Sequence, residues 1–331
     1  MSQSPAAALR AVDLIKTYPD GRHRPPVRAL DGLTIEIDPG TTLALLGRNG
    51  AGKSTTVKIL TTLARPDSGQ ATVAGIDVLR DPTGVRRAIG LVSQKPSSDP
   101  MATGRENLVL AGRIQGLSRS AAHARAAELL DRFALGAAAD RLAKTYSGGM
   151  ARKLDVALGL VHRPTVLFLD EPTTGLDPEA RAEMWAEIAR LCSQDNTTVL
   201  LTTHYLDEAD HLADRVAIVD AGRVVVDGAP EQLKSELRGD TVLVELADHV
   251  DAAALIALDR VGGLRDITAD GTRVRARADS GARAVPGVVA ALETAGAGVA
   301  SVTVARPSLD EVYLRHVGHA FEHSSEDRSA A

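Results

Sequence analysis

Aromatic side chains are scarce. Three Phe, four Tyr and one Trp make up 2% of the 331 residues, so the core has to be built from Ala, Val, Leu and Ile. Cysteine occurs once, at Cys192, which excludes an intrachain disulfide and fits a reducing compartment. Positive charge is not in excess: the net charge is −5 and the pI about 6.0, which gives no general electrostatic reason to bind nucleic acid or anionic lipid. No apolar run approaches the roughly 20 residues a membrane span needs. The opening stretch MSQSPAAALR lacks the basic-then-apolar pattern of a secretory leader. The expectation is a soluble cytoplasmic protein, and any work at a membrane has to borrow another chain's span.

Hydrophobic content is 44% and charged content 24%, ordinary for globular proteins and enough for a sizeable core. Residues 9–16, 33–37 and 71–78 read as short strands. An apolar strand at 41–47 ends in Gly, and a helix follows over 52–63. Residues 105–135 are helix-rich. Runs 165–170 and 197–204 are β-branched and apolar, with the length of buried strands. Between them Met184, Ile188, Leu191 and Cys192 recur at helical spacing, Asp177 can cap that helix, and Pro178 suits its first position. Residues 215–228 read as a strand pair around Ala221-Gly222. Such alternation implies an α/β fold with a parallel sheet and crossover helices. After residue 238 the texture changes: strand-like TVLVELAD, TRVRARAD and VTVARP are separated by Ala/Gly-rich helical stretches. A small α/β accessory domain over 240–317 is expected, then a disordered tail over 318–331.

The chemistry-bearing residues begin at LLGRNGAGKST, 45–55. Gly47, Arg48, Asn49, Gly50, Ala51, Gly52, Lys53 and Ser54 form a G-x-x-x-x-G-K-S loop between a strand and a helix, with Thr55 next in line as a nucleotide-binding candidate. Its glycines let backbone N–H groups wrap phosphates, Lys53 neutralises the β/γ oxygens, and the Ser54 hydroxyl can ligate Mg²⁺. VLFLDEP, 166–172, sets two acids at the C-terminal end of a buried strand, where open α/β sheets gather their ligands. Asp170 there can hold Mg²⁺ through water, and Glu171 can act as general base on an attacking water. His204 ends the next apolar strand, beside the same crevice, in reach of a γ-phosphate. Gln94 follows a strand-like AIGLVS and can reach the metal or the water; as a lone loop Gln it can equally be bland. Tyr18, just past the first strand, either stacks on adenine or simply packs, and the residues alone do not choose. KTYSGGM, 144–150, supplies a Ser and two Gly ahead of a helix, which is an anion site or an ordinary N-cap.

Taken together, phosphate loop, Gln, Ser-Gly-Gly-Met, LFLDEP, GLD and His follow one another along residues 47–204. This ordered set resembles the ATP-binding-cassette (ABC) ATPases over about residues 8–235. The resemblance implies a P-loop NTPase (RecA-like) core with an antiparallel β subdomain and a helical subdomain at about 96–160, the whole cassette spanning 8–238. It implies ATP and Mg²⁺ as cofactors, with Ser54, Gln94 and Asp170 as metal-side residues and Glu171, His204, Lys53 and Gln94 as the catalytic set. Two subunits of such ATPases sandwich two ATPs head to tail. Ser147, Gly148 and Gly149 then act in trans on the partner's γ-phosphate, and Asp177 lies at the dimer seam. Tyr146 and Met150 depart from the commonest Leu-Ser-Gly-Gly-Gln signature, but the Ser-Gly-Gly core is intact.

YSGGMARKLDVALGLVHRPTVLFLDEPTTGLDP, TTHYLDEADHLADRVAIVDAGRVVVDGAPEQLK and PSLDEVYLRHVG look very like the daunorubicin/doxorubicin resistance ATP-binding protein family of actinobacteria. That implies an ATPase subunit of a drug exporter, a homodimer on the cytoplasmic face of the membrane, energising a separate multispanning permease and binding no nucleic acid. Export of a lipid or polysaccharide, or a non-transport ABC ATPase, are the other readings. A DNA-maintenance ATPase would carry a long coiled coil between residues 55 and 147, where no heptads occur. A translation-factor type would carry two cassettes, and a small P-loop kinase would lack Ser-Gly-Gly and His204. An importer is closer, since nothing in the ATPase core sets direction. Cys192, on the apolar face of the 179–193 helix, is expected in the core, and Trp185 on the same helix is expected to have a packing role. His23, His123, His162, His211, His316, His319 and His323 show no metal-ligand spacing and are expected at the surface. The acids of LDEVY, 309–313, are expected to fix the accessory domain.

Overall fold

A computed structural model of the chain describes residues 7–19, 25–237 and 239–318. The chain divides into two compact units, one reaching to Pro230 and one beginning at Glu231.

The first unit opens with strand β1 (Leu9–Tyr18), paired antiparallel with β2 (Val27–Ile37). Strand β3 (Thr42–Leu46) is buried along its whole length and runs into the phosphate-type loop and helix α1 (Lys53–Leu60). That helix stops short of the expected residue 63, because the Thr61 hydroxyl folds back onto the Val57 carbonyl and Thr62 turns to a φ of 64°. Strands β4 (Ser68–Val73) and β5 (Ile76–Asp77) replace the single strand expected over 71–78. Ala74 and Gly75, with φ of 51° and 75°, reverse the chain between them. These strands form a four-stranded antiparallel sheet of order β2-β1-β4-β5. Tyr18 is the last residue of β1, not beyond it.

Helix α2 (Pro82–Ala88) leads into β6 (Ile89–Val92). Helix α3 (Gly104–Ile114) starts at a reciprocal Thr103–Glu106 capping box, and α4 (Arg119–Arg132) at a Ser118 cap. Helix α5 (Gly148–Gly159) follows Ser147, β7 is Val166–Asp170, and α6 (Pro178–Asp195) is capped by Asp177. Next come β8 (Thr198–Thr203), α7 (Leu206–Leu212), and the hairpin β9 (Arg215–Asp220) and β10 (Arg223–Gly228). The second sheet has the order β10-β9-β3-β8-β7-β6, parallel from β9 to β6, with β10 antiparallel at its edge.

From β3 the chain leaves to the far edge at β6 and returns through β7 and β8, then crosses to β9. The strand order therefore reverses at β3, the place in an open parallel sheet where a crevice opens beyond the strand ends. Leu9, Ile35, Val57, Ile59, Phe168 and Leu200 belong to one buried cluster joining both sheets and α1. Helix α5 lies against β6 through two glycines: a Cβ at Gly90 would stand 2.2 Å from the Gly159 carbonyl.

The chain passes through α8 (Pro230–Ser235) into the second unit: β11 (Asp240–Leu246), α9 (Ala252–Asp259), β12 (Leu264–Asp270), β13 (Arg273–Ala278), α10 (Gly281–Thr294), β14 (Val299–Ala305) and α11 (Leu309–Val317). Its sheet is antiparallel, in the order β12-β13-β11-β14. Val242, Val244 and Val274 face Ala254 and Leu258 of α9 and Val288 and Leu292 of α10. Strand β12 was not expected, because LRDITAD alternates polar and apolar residues only weakly. Glu311 of α11 binds Thr241, Arg275 and Arg277, the fixing role expected of this helix. Of the expected tail, Gly318 is the left-handed cap of α11, and 319–331 lie outside the described residues, as do His23, His319 and His323.

Candidate active site

Gly47 and Gly52 are demanded by their surroundings. A Cβ on Gly47 would meet the Val219 carbonyl at 2.4 Å, and one on Gly52, whose φ is 114°, would meet the Ala29 carbonyl at 2.7 Å. No side chain caps α1 at Gly52, so its first-turn N–H groups remain available to an anion. Lys53 is buried, and its Nζ donates to the loop's own Gly47 carbonyl (2.5 Å) and Arg48 carbonyl (3.2 Å). Burial pushes its pKa below the ordinary lysine value, against the pull of Glu171 and Asp170. Among the described residues this ammonium's hydrogen bonds go to neutral carbonyls, which leaves it suited to a phosphate. Asn49, Gly50 and Ser54 are exposed, with Arg48 and Thr55 half-buried.

The parallel register puts the ends of β6, β7 and β8 side by side, and with them Gln94, Asp170, Glu171 and His204. Asp170 Oδ1 accepts the Thr202 hydroxyl at 2.5 Å. Glu171 adopts φ 49°, a left-handed backbone costly for a non-glycine residue. Its N–H donates to the Thr202 carbonyl at 3.1 Å. Its carboxylate accepts Gln94 Nε2 at 3.0 Å and lies 3.2 Å from His204 Nδ1. That ring nitrogen is buried and off the hydrogen-bond line, so the pair is a polar contact not yet aligned. The His204 ring, then Lys53, outweighs burial and holds the Glu171 carboxyl below the ordinary glutamate range. Glu171 is therefore an ionised acceptor at neutral pH, poised beside a buried cation. Ser54, Gln94 and Asp170 offer hard oxygen donors of the kind Mg²⁺ prefers.

Two expected groups lie elsewhere. Ser147 caps α5, accepting the Met150 N–H at 3.3 Å, and is exposed like Gly148. Gly149 leaves room for α6, where a Cβ would stand 3.0 Å from Ala180 Cβ. Among the described residues no hydrogen bond ties Ser147 to the Lys53–Glu171 cluster. Asp177 is likewise exposed and accepts the Ala180 N–H at 2.8 Å. Tyr18 packs under Lys16, whose Nζ lies 5.4 Å from the ring centroid.

Trp185 packs on His211, as expected, and also donates to Glu208 at 3.3 Å. Two readings need correction. His162 is half-buried, its Nε2 2.8 Å from the Ile89 carbonyl, instead of at the surface. Cys192 is only half-buried, 3.0 Å from the Thr42 hydroxyl, and burial raises its pKa. Residues not singled out in the sequence also hold the site: Thr202, Arg152 and Asp155. Arg152, Asp155, Val156 and Gly159 recur at i, i+3, i+4 and i+7, so two charges lie on the helix's apolar stripe. That is the signal that would have found them.

Loop, acid pair and strand-end histidine at the reversal of a parallel sheet define a P-loop nucleotide-binding cassette. Residues 30–174 match the ABC transporter family, and residues 228–317 match the family described as ATP-binding protein DrrA1-3-like, C-terminal domain. The chain is 45% identical to the daunorubicin/doxorubicin resistance ATP-binding protein DrrA of Streptomyces peucetius, covering 100% of this chain and 98% of that protein. It is 32% identical to the linearmycin resistance ATP-binding protein LnrL of Bacillus subtilis, over 87% of this chain and 93% of the relative. The ATP-binding cassette MJ0796, solved as a post-hydrolysis dimer bound to ADP and Pi, superposes with a TM-score of 0.61 at 26% identity, over 67% of this chain and 98% of that one. The chain belongs to the ABC ATP-binding proteins of the daunorubicin/doxorubicin resistance family, and is an ATP-hydrolysing enzyme.

Proposed function

We propose that this chain is the ATPase subunit of a drug exporter, with a cassette over about 8–238 and an accessory domain over 240–317. The convergence of Gln94, Glu171 and His204 on the Lys53 loop is the observation that carries this reading. Glu171 takes the proton of a water attacking the γ-phosphorus, the bond to the β–γ bridging oxygen breaks, and ADP and phosphate leave. Lys53 and the loop N–H groups hold the phosphates, Gln94 orients the water, and His204 faces the γ-phosphate. Ser54, Gln94 and Asp170 would hold Mg²⁺, which would supply neutralisation of the charge on the phosphates.

The exposed Ser147-Gly148-Gly149 helix start, with Asp177, serves the ATP of a second copy, so the working unit is a homodimer. Among the described residues no helix is long and apolar enough to cross a membrane. Work at the cytoplasmic face of the membrane then requires a separate multispanning permease. Met101, Leu110 and Ile114, exposed apolar residues just after the Gln94 loop, suit its docking. The resistance functions named for the relatives favour a drug as cargo.

The test is a pull-down from the native cell of tagged Glu171→Gln protein, solubilised mildly with ATP and Mg²⁺. A stoichiometric multispanning membrane protein supports the transporter reading, and vesicle transport of candidate drugs then tests the cargo. Recovery of soluble partners alone, while the ATP-trapped homodimer survives, overturns it.

A further inference from the structure

The buried guanidinium of Arg152 is not explained by phosphate chemistry. It sits in the second turn of α5, one turn beyond the Ser-Gly-Gly start. All its hydrogen bonds among the described residues go to main-chain carbonyls at the ends of two catalytic strands. Nε donates to Pro172 at 2.7 Å and Nη1 to Ser93 at 2.7 Å, while Nη2 is shared between Asp170 (3.2 Å) and Glu171 (3.1 Å). Asp155, one turn on, accepts the N–H groups of Ser97 (2.9 Å) and Ser98 (3.1 Å). One helix thus grips the Gln94 loop at both ends and the Glu171 turn from behind.

That turn needs holding. Glu171 is left-handed at φ 49°, and Pro172 biases its predecessor towards extended backbone. Thr202 holds the Glu171 N–H, and Arg152 holds the carbonyls on either side of the turn and the Glu171 carbonyl itself. A planar fork fixes these acceptors relative to one another, whereas an ammonium would bind as a point. An apolar side chain would leave buried carbonyls unpaired.

We propose that Arg152 is a positioning residue for hydrolysis: it locks the Glu171 turn and the Gln94 loop into one rigid body with the Ser-Gly-Gly helix. This rests on Glu171 being the base. Closure of a second copy on Ser147 moves α5, and Arg152 carries that movement to the chain's own water-activating carboxylate.

The test is a double-mutant cycle on the full chain, combining Arg152→Met and Arg152→Lys with Glu171→Gln. ATP affinity and melting temperature report folding. Arg152→Met is expected to lower kcat about 10–100-fold with the KM for ATP within about threefold, and Arg152→Lys to recover only part of that loss. In the Glu171→Gln background, adding Arg152→Met should change the residual turnover less than about twofold, because the group it aims is already gone. Equal losses in both backgrounds, or an unchanged kcat, overturn the proposal. If Arg152→Met does not fold, Arg152→Lys carries the same comparison. Near-native turnover of Glu171→Gln alone sinks the base assignment instead, so the two failures are distinguishable.

Discussion

Gly90→Ala tests how tightly the signature helix is seated. The added methyl would stand 2.2 Å from the Gly159 carbonyl oxygen and 2.8 Å from Leu167 Cδ1. Leu167 lies inside β7 and can yield little, so α5 has to retreat by close to an ångström for an ordinary contact. Overpacking of this kind costs about 1–3 kcal/mol. For a unit of this size that is a fall in melting temperature of about 2–12 °C. The functional effect should exceed the loss of stability. Arg152 and Asp155 ride on α5, so its retreat stretches the bonds to Ser93, Pro172 and Ser97. A misplacement of about 1 Å can cost about a hundredfold in rate. Thermal unfolding, ATP binding and turnover of the folded protein at 25 °C should show near-native affinity beside a turnover reduced at least about tenfold. A variant that melts within 1 °C of the parent and turns over normally would refute the rigid seating of α5.

Glu171→Gln should keep ATP binding, trap the closed dimer and lose at least about 100-fold in turnover, measured by phosphate release. Ser147→Arg should spare ATP binding by the monomer and block ATP-driven dimerisation in ultracentrifugation; an unchanged dimer removes Ser147 from its role in trans. The second unit should weaken in acid through Glu311. Burial pushes its carboxyl up, but the Thr241 hydroxyl at 2.7 Å and the Arg275 and Arg277 guanidiniums outweigh this and leave it below the ordinary glutamate value. Its stabilising contribution is then present above that ordinary value and lost as pH falls through the folded one. Glu311→Gln should flatten this part of the stability–pH curve in denaturant titrations, and an unaltered slope would refute the linkage.

The phosphate loop was legible because its chemistry is local: eight residues, Gly47 to Ser54, with a strand before and a helix after. The gathering of Gln94, Glu171 and His204 followed from reading three apolar strands with acids or polar residues at their ends, since parallel pairing aligns such ends. What escaped is what depends on packing across the fold. Arg152 carries no motif of its own, and Thr202 looked like one more β-branched strand residue. The turn at Ala74-Gly75 was hidden by apolar residues on both sides. Ser147 and Asp177 are exposed helix caps, and the second copy in which their proposed role lies is something no single chain can display.

The scarcity of aromatics gives this protein an optical probe without labelling. Trp185 is the sole tryptophan, so tryptophan emission arises from one place. The indole lies 5.0 Å from the His211 ring and donates to Glu208, whose carboxylate also takes the Thr173 hydroxyl at 2.7 Å. Thr173 follows the Glu171-Pro172 turn, and both Glu208 and His211 belong to the helix that follows His204. Fluorescence from this indole therefore watches the chain on both sides of the Glu171–His204 pair at once. Stopped-flow mixing with nucleotide would time the engine's stroke from inside the unmodified molecule.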